Sequence, residues 1–217
     1  MYKRIIKPIF FKIDPEKVHN RIIRLGQLLG RFWITRKLIS FMYNYENEKL
    51  KCNVMGIDFK NPIGLSAGFD KNAILTGIIP CVGFGFMEVG SITAEKCKGN
   101  PKPRLFRLPE DNALVVNYGL CNDGAEEIKK RLENKIFEIP IGISIARTNK
   151  AMSEDESIED YAKGFETMQD IGNYITINAS CPNTVDKRNF CEPARLKKLL
   201  NKISKIEIKK PILIKIK

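Results

Sequence analysis

A chain of 217 residues with 43% hydrophobic content carries enough apolar material for one good core and a small appendage, which excludes a disordered polypeptide. Its net charge of +12 is concentrated near the start, where residues 1–51 hold twelve Lys/Arg against four Asp/Glu; no basic-aromatic interleaving accompanies it, which argues against nucleic acid. The six cysteines form no Cys-x-x-Cys pair and find no histidine at ligand spacing, so neither a metal site nor a disulfide framework is expected, and a reducing cytoplasm fits best.

The first element in chain order is a helix starting at Asp14-Pro15-Glu16, which combines an Asx cap, proline at the first helical position and an acid in the first turn. Val18, Ile22, Leu25 and Leu29 follow at three- and four-residue spacing, and Gly30 is placed to end the run. A second apolar stretch over 32–42 is dense in Phe, Trp, Ile, Leu and Met. Two readings stay open for residues 1–44: a helical hairpin packed on the main domain, or a helix pair lying in a membrane interface with its basic residues toward anionic headgroups. No run of about 18 apolar residues exists and no signal-peptide pattern is present, so the expected location is peripheral, on the cytoplasmic side of a membrane.

Residues 45–217 form the expected main domain. Apolar runs at 62–67, 84–89, 140–145, 174–178 and 211–216 read as buried strands, with helices predicted at 73–79, 124–137, 158–168 and 193–206. This alternation implies a parallel sheet, and polar or glycine residues gather just after the strands, where such folds put their chemistry. A (β/α)8 barrel takes roughly 250 residues. The expected fold is therefore α/β: the N-terminal part, about five strands, of a TIM barrel preceded by a small helical appendage. The final apolar run would leave an open strand edge, so a fragment, or a chain completed by another polypeptide, is expected.

Two segments carry candidate chemistry. Asn178-Ala179-Ser180-Cys181-Pro182-Asn183-Thr184 packs two carboxamides, a hydroxyl and a thiol after a strand, although a plain turn also uses Asn, Ser and Pro. Gly64-Leu65-Ser66-Ala67-Gly68-Phe69-Asp70-Lys71 offers small residues that admit a flat cofactor and a lysine that neutralises an anion. With Asn61-Pro62-Ile63-Gly64, the 83–91 segment ending Glu88-Val89-Gly90-Ser91, the Asn100-Pro101 to Leu108 segment and Ile214-Lys215-Ile216, the chain resembles the dihydroorotate dehydrogenase family over essentially its whole length. Asp14-Pro15-Glu16 with His19 resembles the extra helical segment of the quinone-reducing class 2 branch.

The resemblance implies FMN-dependent oxidation of dihydroorotate to orotate in pyrimidine synthesis, with quinone as electron acceptor. It assigns FMN contacts to Ala67, Gly68, Lys71, Ser91, Asn178 and Lys215, with Ser144 at the position of a flavin-contacting asparagine. Substrate contacts fall on Lys71, Asn178 and Asn183. The family's Asn-x-x-Gly-Phe-Asn loop is altered here: Val116 replaces its asparagine and Leu120 its aromatic, with Asn117, one residue away, a candidate for restoring the contact. Cys181 becomes the general base, where class 2 relatives usually carry serine; a thiol serves once partly deprotonated, from a reference pKa of about 8.5. His19 and Arg107 would bond the quinone headgroup, with Phe32, Leu38 and Phe41 admitting its tail. The alternatives are a related flavin oxidoreductase using fumarate or a nicotinamide, and a catalytically inactive half-barrel.

Overall fold

The computed structural model describes residues 2–186, 188–207 and 209–216. A π-helical turn (Tyr2–Ile6) leads into α1 (Lys7–Phe11), and α2 (Pro15–Arg31) follows. The Asp14 carboxylate accepts from the Lys17 amide at 2.9 Å, and Pro15 costs nothing at a position whose N–H has no intrahelical partner. α3 (Trp33–Tyr43) follows after the single residue Phe32 and packs on the 79–82 segment.

The buried side of α2 is not the expected Val18-Ile22-Leu25-Leu29 ridge. Glu16 and Ile23 are buried, whereas Ile22 and Leu25 face outward. The cause is polar: Glu16 is ion-paired inside the domain to Arg104, which fixes the rotation of the helix. Nor does Gly30 end α2, which runs on to Arg31. Its missing side chain serves packing, since a Cβ there would lie 3.2 Å from the Ile78 amide nitrogen.

A hairpin of β1 (Cys52–Val54) and β2 (Ile57–Phe59) precedes the sheet. Its turn is made by Met55 and Gly56, both at positive φ, the conformation that two-residue hairpin loops require. Then come β3 (Gly64–Leu65), β4 (Phe86–Ile92), the antiparallel pair β5 (Leu105–Leu108) and β6 (Ala113–Val116), α4 (Ala125–Leu132), β7 (Ile141–Ile145), α5 (Glu154–Met168), β8 (Tyr174–Asn178), α6 (Pro193–Ile203) and β9 (Ile212–Lys215). The two antiparallel pairs were not predicted. Strands β3-β4-β7-β8-β9 form one sheet in that order, every pair parallel, and lie where the five predicted runs lie.

The helix predicted at 73–79 does not form. The Asp70 carboxylate accepts from the amides of Ile74 and Leu75 at 3.0 and 2.7 Å, Ala73 sits at φ +54°, and the segment runs as turns to a short 3₁₀ piece at Ile79–Val82. An aspartate bonding its own downstream amides offers the backbone an alternative to the helix ladder. Elsewhere the predicted helices stand with shifted ends: α5 begins four residues early because Ser153 and Glu156 make a capping box.

Strand alternation separates two faces. Met87, Val89, Ile141, Ile143, Ile145, Ile175 and Ile177 are at most 1% exposed and form one core with Ile128 and Leu132 of α4, Phe165 and Met168 of α5 and Leu199 of α6. Each such side chain contributes about 1.5–3 kcal/mol by burial. The opposite face carries Glu88, Ser144, Thr176, Asn178 and Lys215, so the polar groups of all four longer strands point into the concave side and toward the strand ends.

Candidate active site

The site is built at the C-terminal ends of β3, β4, β8 and β9. After β3 the backbone is pinned by a Gly68 N–H to Gly90 carbonyl bond of 2.7 Å and a Gly90 N–H to Asp70 carbonyl bond of 3.0 Å. Both glycines need their freedom: Gly68 lies at φ +104° with open space where a Cβ would point, and a Cβ on Gly90, at φ +108°, would meet the Ser144 carbonyl at 2.6 Å. Asp70 is 1% exposed, and burial pushes its carboxyl up despite the two amides it accepts from. Its work is structural, because it shapes the turn that presents Lys71.

Lys71 is half-buried, with its ammonium 4.0 Å from the centre of the Tyr118 ring. Burial lowers its pKa, partly offset by the neighbouring Cys121 sulfur. Across the strand ends, the Asn178 amide donates to Ser91 Oγ at 2.8 Å, and Ser91 Oγ shares a 2.8 Å bond with Ser144 Oγ. The Tyr161 hydroxyl bonds the Asn178 carbonyl at 2.9 Å and locks that strand end. A cavity of about 240 Å³ opens here, and Ala67, Gly68, Lys71, Ser91, Leu120, Asn178, Cys181, Asn183 and Lys215 all line it.

Two expected residues are elsewhere. Ser144 is fully buried behind Ser91, so it orients Ser91 rather than lining the cavity. Asn117 points away, its carboxamide oxygen taken by Asn100 at 2.8 Å; Val116 lines the cavity in its stead. Asn100, quoted only as the start of a family segment, and Asn149, only as part of a polar strand end, were given no role from the sequence, yet they tie the rim together. Asn149 donates to the Asn100 side-chain oxygen at 2.9 Å and accepts from the Val185 amide at 2.7 Å, while Asn183 donates to the Val116 carbonyl at 3.0 Å. The loop carrying Cys181 is thus held by carboxamides from two other segments, Asn149 and Asn100, the latter donating to the Asn183 carbonyl at 3.2 Å, and by its own Asn183. Burial pushes the Cys181 thiol up, against a partial opposing effect of a backbone hydrogen bond at Asn183. The partly deprotonated thiol expected from the reference value is therefore harder to reach than that value implies.

A second cavity, about 230 Å³, adjoins the first, and Lys71, Tyr118 and Cys121 line both. His19 enters it from α2, edge-on to Phe69 with ring centres 5.2 Å apart. Burial, with the charge of Lys71 beside it, pushes the imidazole down to about 4, so it is neutral at pH 7. Arg107 does not share this cavity: its guanidinium lies 4.8 Å from the Phe11 ring centre and donates to the Ile13 carbonyl at 2.7 Å, in a separate groove. The arginine beside His19 is Arg104. It donates to Glu16 at 3.2 and 2.8 Å and to the carbonyls of Lys98 and Asn100 at 2.7 and 3.0 Å. Arg104 and Arg107 flank the same short motif, and only the strand's course tells them apart. Phe32, Leu38 and Phe41 line neither cavity; they are exposed on the outer side of the α2–α3 pair. Among the described residues no helix is long and apolar enough to cross a membrane, and no three His, Cys, Asp or Glu side chains group to hold a metal ion.

Small residues, two lysines, amides and hydroxyls converge at the C-terminal ends of parallel strands, where (β/α) barrels put their chemistry, and make this part of such a barrel. The chain belongs to the dihydroorotate dehydrogenase family, whose model matches residues 49–217. Relatives named dihydroorotate dehydrogenase (quinone) include those of Gloeobacter violaceus, 38% identical over 98% of this chain and 60% of the relative, and of Christiangramia forsetii, 38% identical over 100% of this chain and 64% of the relative. A crystal structure of DHODH from Eimeria tenella in complex with ferulenol superposes with a TM-score of 0.75 at 29% identity, covering 88% of this chain and 50% of that one. The chain thus spans about three fifths of the length of the curated relatives it matches.

Proposed function

We propose that this chain forms the cofactor- and substrate-holding part of an FMN-dependent, quinone-reducing enzyme that oxidises (S)-dihydroorotate to orotate in pyrimidine synthesis. One observation carries the reading: two adjoining cavities share Lys71 and Tyr118, the inner with a thiol and carboxamides, the outer with a neutral histidine. That layout suits two half-reactions run at opposite sides of one carrier.

The residues fit FMN. Gly68 leaves open space where a side chain would stand, Ser91 and Asn178 offer polar bonds, and Lys71 and Lys215 bring positive charge to the cavity. When bound, FMN supplies the hydride acceptor. Lys71 matches the substrate carboxylate, Asn178 and Asn183 match its ring amides, and Val116 and Leu120 exclude water from the facing wall. Cys181 takes the proton from C5 of dihydroorotate. In the outer cavity, His19 bonds the quinone headgroup; Arg104 holds α2 beside it in the place expected for Arg107. Residues 1–44 serve as the quinone and membrane segment, with the outward apolar side chains of α2 and α3 in the interface of a cytoplasm-facing leaflet, and residues 45–217 hold FMN and substrate.

The test is stopped-flow measurement of both half-reactions in the enzyme that contains this chain. His19→Ala should slow reoxidation of the reduced flavin by a short-chain quinone roughly tenfold or more, the loss of about one hydrogen bond in a desolvated site, while reduction by dihydroorotate stays within twofold. Failure of dihydroorotate to bleach the wild-type flavin would refute the function itself. Cys181 departs from the class 2 pattern, and Val116 and Ser144 from that of the family, which favours as second reading a sister flavin oxidoreductase; turnover with fumarate or a nicotinamide in place of quinone would select it.

A further inference from the structure

Among the described residues the largest fully buried side chain is that of Arg147, 1% exposed and two residues past the end of β7. A guanidinium stays charged at every working pH, so burying it demands a counter-charge and acceptors. Among the described residues its one carboxylate partner is Asp186, in the loop that carries Cys181, and its Nη1 also donates to the Lys150 carbonyl at 3.3 Å. Asp186 accepts in addition from the Arg188 amide at 3.1 Å, so its own loop orients the carboxylate that meets the arginine.

The turn that carries Arg147 is itself anchored. Asp160 of α5 accepts from the Thr148 amide at 2.6 Å and from the Thr148 hydroxyl at 2.9 Å, and both residues are buried. The next residue of α5, Tyr161, bonds the Asn178 carbonyl where the Cys181 loop begins. One helix thus fixes the start of the loop directly and its far side through Arg147. Cys181 lies three residues after Asn178 and five before Asp186, between those two fixed points. Asn149, on the same turn as Arg147, adds a neutral contact to the Val185 amide at 2.7 Å.

We infer that Arg147 is a positioning residue: through Asp186 it clasps the Cys181 loop against the end of β7 and so aims the sulfur into the inner cavity. The inference rests on the proposed role of Cys181 as base and adds what holds that base in place. A reactive group on a loop is aimed less precisely than one on a strand unless its neighbours lock it, and a misplacement of about 1 Å costs roughly 10²-fold in rate. The clasp also sets the charge around the sulfur. Arg147 and Lys215 of β9 favour the ionised thiol, while burial and Cys97 oppose it. Asp186 tempers the first of these, so the two members of the pair act on Cys181 with opposite sign.

The experiment uses the enzyme that contains this chain. Asp186→Ala and Arg147→Met should each slow flavin reduction at saturating dihydroorotate by roughly 10²-fold, with FMN bound and the KM for dihydroorotate little changed. The double variant should be no slower than the slower single one, because one pair carries both losses. Asp186→Asn, of the same shape and with an acceptor oxygen left for the guanidinium, should restore most of the rate. Alkylation of Cys181 by iodoacetamide, read by peptide mass mapping, needs neither flavin nor substrate. The pH at which it is half-maximal should fall in Asp186→Asn, where Arg147 loses its counter-charge, and rise in Arg147→Met, where the cation itself is gone; if Arg147→Met does not fold, the fall in Asp186→Asn decides alone. A pair that only stabilised the fold would move both midpoints the same way or neither. That result, or a rate within about twofold of wild type in Asp186→Ala, overturns the clasp. If dihydroorotate does not bleach the wild-type flavin, the proposed function falls, and the shifts of the Cys181 midpoint still decide the clasp.

Discussion

Replacing Cys181 by alanine in the enzyme that contains this chain is expected to slow flavin reduction by dihydroorotate by about 10²-fold to 10⁴-fold, the usual loss with a general base, while FMN stays bound. The thiol lines the cavity without belonging to its cradle, which Gly68, Gly90, Ser91 and Asn178 form through their own bonds. Burial raises its pKa, so the sign of the pH dependence is fixed: at neutral pH the proton is on sulfur, and the wild-type reduction rate should climb as pH rises toward the thiol's ionisation, above the ordinary thiol value. Cys181→Ser should not recover the rate near neutral pH. A hydroxyl accepts a proton only when a relay carries its own away, and the side chains facing it from the altered loop are Val116 and Leu120, which relay nothing. A flat pH profile with unchanged rate in Cys181→Ala would remove the thiol from the mechanism.

The strands were legible because fully buried parallel strands are near-continuous apolar runs, and Ile141 to Ile145 or Tyr174 to Asn178 have no other economical reading. Their C-terminal ends pointed to where the cavity lies, and the family resemblance, not the periodicity, put forward Lys71, Ser91, Asn178, Cys181 and Lys215, all of which line it. What stayed hidden depends on side chains crossing between elements. Periodicity gave α2 an apolar ridge, but a single buried carboxylate, Glu16, decides which way the helix faces. Nor did the sequence show that His19 and Arg107 line separate cavities, because three residues along a short extended motif separate a guanidinium inside the domain from one in an outer groove. Asn117 looked available until Asn100, seventeen positions earlier, turned out to hold its carboxamide. The 73–79 segment is apolar enough to suggest a helix, but Thr76, Gly77 and three isoleucines favour one weakly, and Asp70 just ahead of it diverts the backbone into turns.

The ion pair that orients α2 should be the most costly polar contact to break. Arg104 and Glu16 are 5% and 6% exposed, and removing one member of such a pair leaves an uncompensated buried charge, so Arg104→Leu is expected to lower the unfolding free energy by about 3–5 kcal/mol in urea titrations of the 217-residue chain. Lys102, 3.2 Å from Glu16 but largely exposed, should recover little of it. Glu16→Gln should cost less, since the amide keeps one acceptor oxygen for the guanidinium. The pH dependence has a definite sign. Burial alone would raise the Glu16 carboxyl, but its bonds to Arg104 and Lys102 outweigh that and hold it below its usual value, so its contribution is present at neutral pH and lost as pH falls through the carboxylate range. His19 acts in the same direction: depressed to about 4 against 6.5 in solution, it stabilises the fold above pH 6.5 and loses that effect steadily as acid protonates the unfolded chain. Because His19 is the sole histidine, its imidazole signal in a proton NMR titration is assigned without ambiguity. In wild type it should titrate near 4; in Arg104→Leu, with α2 no longer anchored beside Lys71 and Phe69, it should move back toward 6.5. A destabilised variant whose histidine still titrates near 4 would mean that Ile23, Gly26 and Gly30 hold α2 in place by packing alone, and that the ion pair sets stability without setting the geometry of the outer cavity.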